Sequence, residues 1–371
     1  MANASSIWTQ EIIRNIHLPL GHTLDLISYD AVTEAIEGMY QEEFGVTLKQ
    51  LVSSSGNRLL KKTTAFLAPF RFLAKNRVKF DVAVVHYPPN SVRAISLIAA
   101  LKMLNCKIVT VFWGSDILAL GESKTFFLER IIEASDRINL STEKMSDEFA
   151  RRFGQSYSPE IHHANFGTLA LPYLDSAIRQ YGKAGSKRQI GLSEDKLTIA
   201  IGHNGATRQN HIKVIDALSS LDYGAKARVQ LLLHIPGATK NYVEDIGVSL
   251  ESCGIDHVVL TEGYPLADIA KVRVATDIFL HAQQSDGLSS SVRECLYSDS
   301  ILVNPKWISY KELDRLGIEY VTYDAYDELP GLIRSILDDE IVLDTKGNKE
   351  IIGSHYSWQT LCGAWRDLLE F

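Results

Sequence analysis

Segments with the patterns of strands and helices alternate along almost the whole chain, and this alternation limits the folds that it can adopt. Strands are predicted in the first half at Thr23–Ser28, Asp81–Tyr87, Lys107–Trp113 and Arg137–Leu140, with helical patterns between them. The second half repeats the rhythm, with strands predicted near 197–202, 228–234, 257–261, 277–281, 301–303 and 319–323. Because strands that alternate with helices form parallel sheets covered on both faces, the sequence predicts an α/β protein with two doubly wound, Rossmann-like domains facing a cleft.

The domain prediction divides the chain into four parts. These are an N-terminal domain over residues 1–170, a linker over 171–196, a C-terminal domain over 197–350 and a closing helix over 351–371. The linker prediction rests on Pro172, Gly182 and Gly185, which lie near several basic residues, as is typical of exposed segments.

The start of the chain departs from the doubly wound pattern. A polar segment and a helix precede Thr23–Ser28, whereas a doubly wound domain normally begins with a buried strand. A missing first strand and an altered topology both fit this pattern, and the sequence leaves the two open.

Composition excludes several classes of protein. The net charge of −7 argues against a general nucleic-acid binder. The four cysteines lie far apart without the spacing of a metal site, which indicates reduced thiols in a cytosolic protein. No apolar run approaches the length of about 18 residues expected of a transmembrane helix, and no secretory signal is recognisable. We therefore expect a cytoplasmic protein.

The segment 277–303 is the richest in chemistry. An apolar strand leads into a polar loop, and a Gly-Leu-Ser-Ser turn then opens a helix. Asp286 in the loop and Glu294 on the helix are eight residues apart and can flank one pocket. The free N–H groups of residues 288–290 favour an anion at the helix N-terminus. Acids that accept hydroxyls beside an anion cradle suit a nucleotide-diphosphate sugar.

Each of these residues also has a simpler interpretation. Asp286 is a preferred residue type for capping the helix that begins after it. Glu294 is equally an ordinary helix acid, although its neighbours look buried. Gly287 fits a turn that brings backbone close to a ligand, because it has no Cβ.

A second candidate loop follows the strand near residues 197–202. Gly202 and Gly205 would let the backbone approach phosphates, and Arg208 and Lys213 would stabilise a leaving diphosphate as charge develops on it. Both cations also fit the exposed face of an ordinary helix.

In the first half, His86 ends a strand, and Ser115 and Asp116 follow another. Asp116 would orient or deprotonate an acceptor hydroxyl, as an inverting enzyme requires, or would cap a short helix. His86 fits an acceptor contact or a packed histidine.

Residues 58–79 form a basic amphipathic stretch in an otherwise acidic chain. Leu59, Phe66 and Phe70 are among the apolar residues that alternate there with lysines and arginines. Such a stretch suits the surface of an anionic membrane, and we expect contact with the inner face of the membrane. The alternative is a helix that packs on the sheet and exposes its charges.

Four blocks together resemble the GT-B glycosyltransferases, particularly the large retaining family 4. FDVAVVHYPPNS (80–91) is similar to the family's strand ending in His, and KIVTVFWGSDIL (107–118) to its strand and Gly-x-Asp loop. The 277–303 block is similar to the family's paired acids, and HYSWQTLCGAWRDLLEF (355–371) to its closing helix, which crosses back onto the first domain.

The resemblance implies a role for each candidate. Glu294 would accept from the ribose hydroxyls, and Asp286 would hold the sugar together with the backbone of Gly287, Leu288 and Ser289. His86, Ser115 and Asp116 would lie on the acceptor side.

The chain departs from the family pattern at three places. Asp286 replaces a Glu, Trp113 replaces a His, and His203 or Asn204 stands where the family has an Arg. The block IGHNGATRQNHIKVIDAL (201–218) also resembles inverting bacterial transferases that add fucose-type amino sugars to lipid-linked acceptors.

The sequence therefore predicts a glycosyltransferase that moves a sugar from a nucleotide-diphosphate sugar to a glycan or lipid-linked acceptor, with retention, in bacterial surface polysaccharide synthesis. It contains no Asp-x-Asp, so we expect no metal and no other cofactor. The alternatives are an inverting amino-sugar transferase, a nucleotide-sugar 2-epimerase and a non-catalytic sugar-nucleotide-binding protein.

Overall fold

The computed structural model describes residues 4, 6–28, 32–50, 66–71, 79–121, 125–154 and 161–371. The chain forms two compact units. The first comprises Met1–Gly167 together with Trp358–Phe371, and the second comprises Thr168–Ser357. Strands alternate with helices in both units, which confirms the predicted α/β class.

The elements of the first unit follow in chain order. They are α1 (Ile7–Ile12, continued by a π-helix over Ile13–His17), β1 (Asp25–Ser28), α2 (Glu34–Phe44), β2 (Thr47–Gln50), α3 (66–71), β3 (Val82–His86), α4 (Arg93–Leu104), β4 (Lys107–Val111), α5 (Ser115–Leu118), α6 (Phe126–Ala134), β5 (Arg137–Asn139), α7 (Glu143–Phe153), β6 (Ile161–His162) and, at the end of the chain, α18 (Trp358–Leu369).

The described strands of the first unit form two parallel sheets. One contains β1 and β2, and the other has the order β3-β4-β5-β6. The sequence analysis predicts β1, β3, β4 and β5 and misses β2 and β6. The missed strands are short and carry polar residues, so they lack the apolar run of a buried central strand.

The second unit follows from Thr168. Its elements are α8 (Leu171–Gln180), α9 (Gly182–Gln189), β7 (Leu197–Ile201), a 3₁₀ turn (Thr207–Gln209), α10 (His211–Leu218), α11 (Tyr223–Arg228), β8 (Val229–His234), α12 (Lys240–Cys253), β9 (His257–Leu260), α13 (Leu266–Val274), β10 (Ile278–Leu280), α14 (Ser290–Tyr297), β11 (Ile301–Pro305), α15 (Lys311–Arg315), β12 (Val321–Tyr323), a 3₁₀ turn (Tyr326–Glu328), α16 (Leu329–Leu337) and α17 (Asn348–Tyr356).

All six strands of the second unit belong to one parallel sheet with the order β12-β11-β10-β7-β8-β9. Numbered within the unit, this is the 3-2-1-4-5-6 order of a doubly wound sheet, read from β9 to β12. Two apolar clusters pack against its strands: Ile199 and Ile201 belong to one, and Ala200 and Phe279 to the other. The alternation along β7 shows that side chains of both faces are buried.

The predicted linker over 171–196 is wrong, because this segment forms α8 and α9. Leu174 and Ala177 of α8 are buried in a core cluster that also contains Ala270 of α13. Pro172 lies in the first turn of α8, where a missing N–H costs nothing. The linker prediction rests on proline and glycine as residues that end helices. It does not take into account that the apolar residues here have the spacing of an amphipathic helix.

The predicted closing helix over 351–371 is divided at Ser357: residues 351–356 belong to α17 of the second unit, and α18 belongs to the first unit. Trp365 is fully buried, and its indole N–H donates to the carbonyl of Asn165 at 2.8 Å. Arg137 donates to the carbonyls of Asp367 and Glu370 at 3.0 and 2.7 Å. The end of α18 is thus tied to the start of β5.

Most of the predicted membrane stretch, residues 58–65 and 72–78, lies outside the described residues, and only 66–71 is seen as a helix. Among the helices that are described, none combines the length and the apolar character needed to cross a bilayer.

Candidate functional site

The centre of the second sheet is the point where its strand order reverses. β7 is the first strand of the unit and lies between β8 and β10. In doubly wound sheets, ligands bind outside the carboxyl ends of the two strands at this switch point. The loops that follow β7 and β10 contain the candidate residues 202–208 and 286–289, and the helices after them contain Lys213 and Glu294.

These two loops are joined by hydrogen bonds. The backbone N–H of Gln284 donates to the carbonyl of Arg208 at 3.2 Å. The side-chain amide of Asn210 donates to the carbonyl of Ala282 at 2.7 Å. Asn210 has a φ of +57°, a left-handed conformation that asparagine tolerates. The structure therefore places the predicted cation loop beside the predicted acid loop.

The glycines of the first loop serve contacts within the protein. A Cβ at Gly202, whose φ is +64°, would come within 2.7 Å of His211 Nε2. A Cβ at Gly205 would overlap the backbone of Ala238, and the N–H of Gly205 donates to the carbonyl of Pro236 at 2.9 Å. Close packing of neighbouring segments thus requires both glycines, whereas the sequence analysis assigns their open space to phosphates.

Buried polar side chains run across the switch point. The Gln209 amide donates to the side chain of Gln283, whose own amide lies 3.3 Å from Asp286 Oδ1. Among the described residues, the buried side-chain atoms without a hydrogen-bond partner include His203 Nδ1, Gln209 Oε1 and His211 Nε2. Buried polar groups are nearly always paired, so this unused bonding capacity marks the switch point as a site for a polar ligand.

Asp286 is buried and serves as a cap, one of its two predicted roles. Its Oδ2 accepts from the backbone N–H of Ser289 at 2.8 Å and from the hydroxyl of Tyr310 at 2.7 Å. Burial by itself would raise the pKa of this carboxyl. His281, the Tyr310 hydroxyl and the Ser289 N–H, with a smaller contribution from His203, outweigh burial and hold the pKa below its usual value. Asp286 is therefore ionised at neutral pH.

The helix of the acid motif begins later than predicted. α14 starts at Ser290, and Leu288 before it has a φ of +62°, which is rare for a bulky residue. Of the three N–H groups expected to face a ligand, that of Ser289 is already bonded to Asp286. The predicted anion cradle is accordingly smaller by at least one donor.

Glu294 is held in a buried network. Its Oε2 accepts from Arg273 Nε at 3.0 Å, and both side chains are only 4% exposed. Its Oε1 accepts from the Ser290 hydroxyl at 2.7 Å and from the Ala170 N–H at 3.3 Å. A carboxylate has about four lone-pair positions, so these three bonds leave room for about one more donor. The predicted role of Glu294, as a free carboxylate that accepts from two ribose hydroxyls, does not fit this arrangement.

Three histidines of the second unit, His203, His211 and His234, are neutral at pH 7. Burial lowers the pKa of His203 to about 3, even though Asp286 nearby raises it. Burial also lowers the pKa of His211 and of His234 to about 4. These three histidines therefore offer no positive charge to an anion at neutral pH.

The two predicted cations differ in their surroundings. Arg208 is exposed on the 3₁₀ turn beside the acid loop. Lys213 is exposed on α10, with its ammonium 5.7 Å from the ring centre of Tyr326. Tyr326 in turn packs edge-on against Trp307, whose indole N–H donates to the carbonyl of Gln283. Arg208 therefore adjoins the loop after β10 through its own backbone, whereas Lys213 is connected to that loop only through Tyr326 and Trp307.

In the first unit, Asp116 closes a turn at the end of β4. Its carboxylate accepts from the N–H groups of Trp113 at 3.0 Å and Gly114 at 2.9 Å. Burial raises its pKa to about 6, although these N–H groups oppose the shift. Ser115 is exposed beside it, and its hydroxyl lies 3.4 Å from that of Tyr87.

His86 is packed among aromatic rings. Its Nδ1 accepts from the indole N–H of Trp113 at 3.3 Å, and its ring stacks on Trp365 at 6.4 Å. Phe166 contacts both Trp113 and Trp365 edge-on. Burial holds the pKa of His86 well below its usual value. Here the packed interpretation of His86 matches the contacts.

Several candidate residues of this site are not predicted from the sequence. Arg273 looks like any surface cation of a helix, and only its apolar neighbours Val272 and Val274 hint that it is buried. Gln209 and Gln283 carry no charge or motif. His281 alone had a usable signal, because it directly follows the apolar strand β10 at the carboxyl end.

No group of three or more His, Cys, Asp or Glu side chains is arranged to hold a metal ion, within the ranges that the structure describes.

Comparison with known proteins gives a likeness in structure only. No protein-family model matches the sequence. No curated protein matches it significantly either.

Solved structures match over almost the whole chain. Anabaena HepE in complex with UDP and glucose has a TM-score of 0.73 at 12% identity, with 98% of this chain and 95% of that chain covered. A glycosyltransferase from Rickettsia africae has a TM-score of 0.73 at 13% identity, with 100% and 97% covered. Sucrose-phosphate synthase from Thermosynechococcus elongatus has a TM-score of 0.72 at 12% identity, with 98% and 92% covered. The fold is that of the GT-B glycosyltransferases.

Proposed function

We propose that this protein transfers a sugar from a nucleotide-diphosphate sugar to a hydroxyl group of an acceptor. The observation that carries the proposal is the concentration of unpaired buried polar atoms where the strand order of the second sheet reverses. The fold adds support, since a structure of the same fold holds UDP together with glucose.

The donor would occupy the loops after β7 and β10. Glu294, already bonded to Arg273, would accept from one ribose hydroxyl at its remaining lone-pair position. Asp286 fixes the turn at Gly287, Leu288 and Ser289, so that this backbone faces the sugar. Arg208 and Lys213 would stabilise the charge that develops on the leaving diphosphate.

For the stereochemistry we propose retention, with a departing phosphate oxygen taking the acceptor proton. Asp116 is engaged by the N–H groups of Trp113 and Gly114, which makes it a poor proton acceptor in this geometry. The second candidate is inversion with Asp116 as base. A pKa of about 6 favours it, because a general base works best near the operating pH.

The acceptor proposed is a glycan or a lipid-linked saccharide at the inner face of a bacterial membrane. The basic, amphipathic composition of residues 58–79 supports this placement. The transfer would proceed without a metal, by helix dipole and cations, so activity should persist in EDTA.

A thermal-shift panel tests the donor site. UDP, GDP, dTDP, ADP and CMP, each with its sugar derivatives, are added to the wild type, to Glu294→Gln and to the exposed control Glu244→Gln. A ligand that binds only the folded protein raises Tm. At a ligand concentration of a hundred times Kd, it raises the free energy of unfolding by about 2.7 kcal/mol. We expect one nucleotide class to shift the wild type and the control but not Glu294→Gln.

The absence of any shift in the wild type would refute the proposed function. With the donor identified, NMR of the product's anomeric proton separates retention from inversion. A change in the donor without any acceptor would instead indicate an epimerase.

A further inference from the structure

Two aromatic residues follow neighbouring strands at the same end of the four-stranded sheet in the first unit. Tyr87 comes directly after β3, and Trp113 comes two residues after the end of β4. These strands are parallel, and the N–H of Tyr87 extends their ladder by donating to the carbonyl of Val111 at 3.0 Å. The rings of Tyr87 and Trp113 meet edge-on there, with their centres 6.3 Å apart.

The backbone of Tyr87 has an unusual conformation. Its φ is +53°, in the left-handed region that bulky residues rarely adopt. The next residue is Pro88, and a residue before proline normally takes an extended conformation with a negative φ. Strained backbone of this kind is concentrated at ligand-binding and active sites. The conformation is a reason to expect a binding role for the Tyr87 side chain.

Packing inside the unit does not account for the position of this side chain. Tyr87 is 51% exposed. Its hydroxyl lies 3.4 Å from that of Ser115, which is also exposed. A ring that is half open to solvent gains little from burial, so the core of the unit does not require a tyrosine here. Its ring surface and the two neighbouring hydroxyls are accessible to a ligand.

Trp113, which is half-buried beside Tyr87, is held in place by several contacts. Its indole N–H donates to His86 Nδ1 at 3.3 Å, and its backbone N–H donates to the Asp116 carboxylate at 3.0 Å. Phe166 contacts its ring edge-on, with the ring centres 5.7 Å apart. A side chain that is already ordered loses little conformational freedom when a ligand packs against it. Trp113 thus forms a fixed wall beside the exposed ring of Tyr87.

Exposed aromatic surface with hydroxyls at its border suits a sugar ring. A pyranose has C–H groups on the faces of its ring and hydroxyls around its rim. The faces of aromatic rings carry partial negative charge and attract such C–H groups. The hydroxyls of Tyr87 and Ser115 can each donate and accept hydrogen bonds, as sugar hydroxyls can. A wholly apolar ligand would make no use of them.

We propose that Tyr87, Trp113 and Ser115 bind one pyranose ring of the acceptor, with a face of that ring against the Tyr87 side chain. This assignment rests on the proposed function, in which the acceptor is a saccharide. It adds the residue that recognises the acceptor ring, and it explains why a strained and exposed tyrosine stands at the end of β3.

Saturation-transfer NMR of the full chain tests the assignment without any nucleotide. The probes are the methyl pyranosides of glucose, galactose, mannose and N-acetylglucosamine, with cyclohexanol as a largely apolar ring. The variants are Tyr87→Asn and Tyr87→Gly, because asparagine and glycine both tolerate a positive φ and lack the aromatic ring. The matched control is Phe126→Ala, which removes a ring of α6 that is 54% exposed.

We expect at least one pyranoside to bind the wild type, with the strongest signals from the C–H protons of one ring face. Both Tyr87 variants should weaken this binding by about fivefold or more, as the loss of one aromatic contact implies. Phe126→Ala should bind as the wild type does, and cyclohexanol should bind more weakly than the pyranoside. The Tm of Tyr87→Gly should stay within about 2 °C of the wild type, because glycine relieves the strained φ.

The assignment is overturned if no pyranoside binds the wild type, if both Tyr87 variants bind as the wild type does, or if cyclohexanol binds as tightly as the pyranoside. The nucleotide thermal-shift panel distinguishes these failures from failure of the proposed function. Pyranoside binding that depends on Tyr87, without any nucleotide shift, would refute sugar transfer and support the saccharide site. A nucleotide shift without pyranoside binding would do the reverse.

Discussion

The two units have the same alternation of strands and helices but differ in how their sheets are completed. In the second unit, β7 joins the two halves of a six-stranded sheet. In the first unit, the described strands divide into a pair and a group of four. The comparison teaches that the central strand of a doubly wound sheet is the element that unites its halves.

A second difference concerns the buried acids that follow β10 in the second unit and β4 in the first. Asp286 after β10 is held ionised, against its burial, by His281, the Tyr310 hydroxyl and the Ser289 N–H. Asp116 after β4 accepts from backbone N–H groups of its own turn, and burial raises its pKa to about 6. The second unit thus has a preformed polar site, whereas the corresponding end of the first unit is largely aromatic.

The largest effect is expected from breaking the buried ion pair of the second unit. Arg273→Met leaves Glu294 buried without its cation, which should lower the free energy of unfolding of that unit by about 3–5 kcal/mol. Urea denaturation followed by circular dichroism measures it. Tryptophan fluorescence reports mainly the first unit, which contains Trp8, Trp113, Trp358 and Trp365, and should show little change.

The control for this variant is Lys240→Met. Lys240 pairs with Glu244 at 3.8 Å on the surface, with 89% and 62% of the two side chains exposed. Loss of such a pair should cost less than about 1 kcal/mol. Equal losses in the two variants would mean that the Arg273–Glu294 network does not stabilise the second unit.

The next effect tests the difference between the sheets directly. An isolated two-stranded sheet is at best marginally stable, so the amides of β1 and β2 should exchange at least about a hundredfold faster than those of β7 and β8. Hydrogen exchange with mass spectrometry in the wild type measures the ratio. Similar protection in both places would show that the divided sheet of the first unit is as cooperative as the continuous one.

Sequence patterns predict strands and helices well where the buried residues are apolar. All six strands of the second unit are apolar runs, and the sequence analysis finds each of them. The pattern fails for β2, because this strand consists largely of polar residues. It also fails for α8, an amphipathic helix that contains a proline. Those errors have one cause: the helix and strand signals come from apolar spacing, and proline or glycine is assigned to a turn whatever surrounds it.

The candidate site is predicted in outline but not in its contacts. Asp286 and Glu294 follow from a motif, and their position near the switch point follows from strand order. Their partners Tyr310 and Arg273 come from distant parts of the sequence. Nothing in one sequence indicates that Glu294 is already bonded, because a buried ion pair forms between residues whose spacing carries no signal.

The smallest of the three effects concerns the contrast between Asp116 and Asp286. A folded pKa of about 6 for Asp116 means that folding favours its protonated form. The stability gained from this is full below the unfolded pKa of about 4 and is lost as the pH rises through 6. Asp116→Asn cannot ionise, so its stability relative to the wild type should increase between pH 4 and pH 7 by on the order of 2 kcal/mol.

Asp286→Asn provides the opposite case. Because the folded pKa of Asp286 is lowered, its contribution is present above the unfolded pKa and is lost only as the pH falls through the folded pKa. The stability difference between Asp286→Asn and the wild type should therefore stay flat from pH 5 to pH 7 in urea titrations. A flat difference for Asp116→Asn as well would remove the contrast between the two acids, and with it the argument that Asp116 titrates in the range where a general base works.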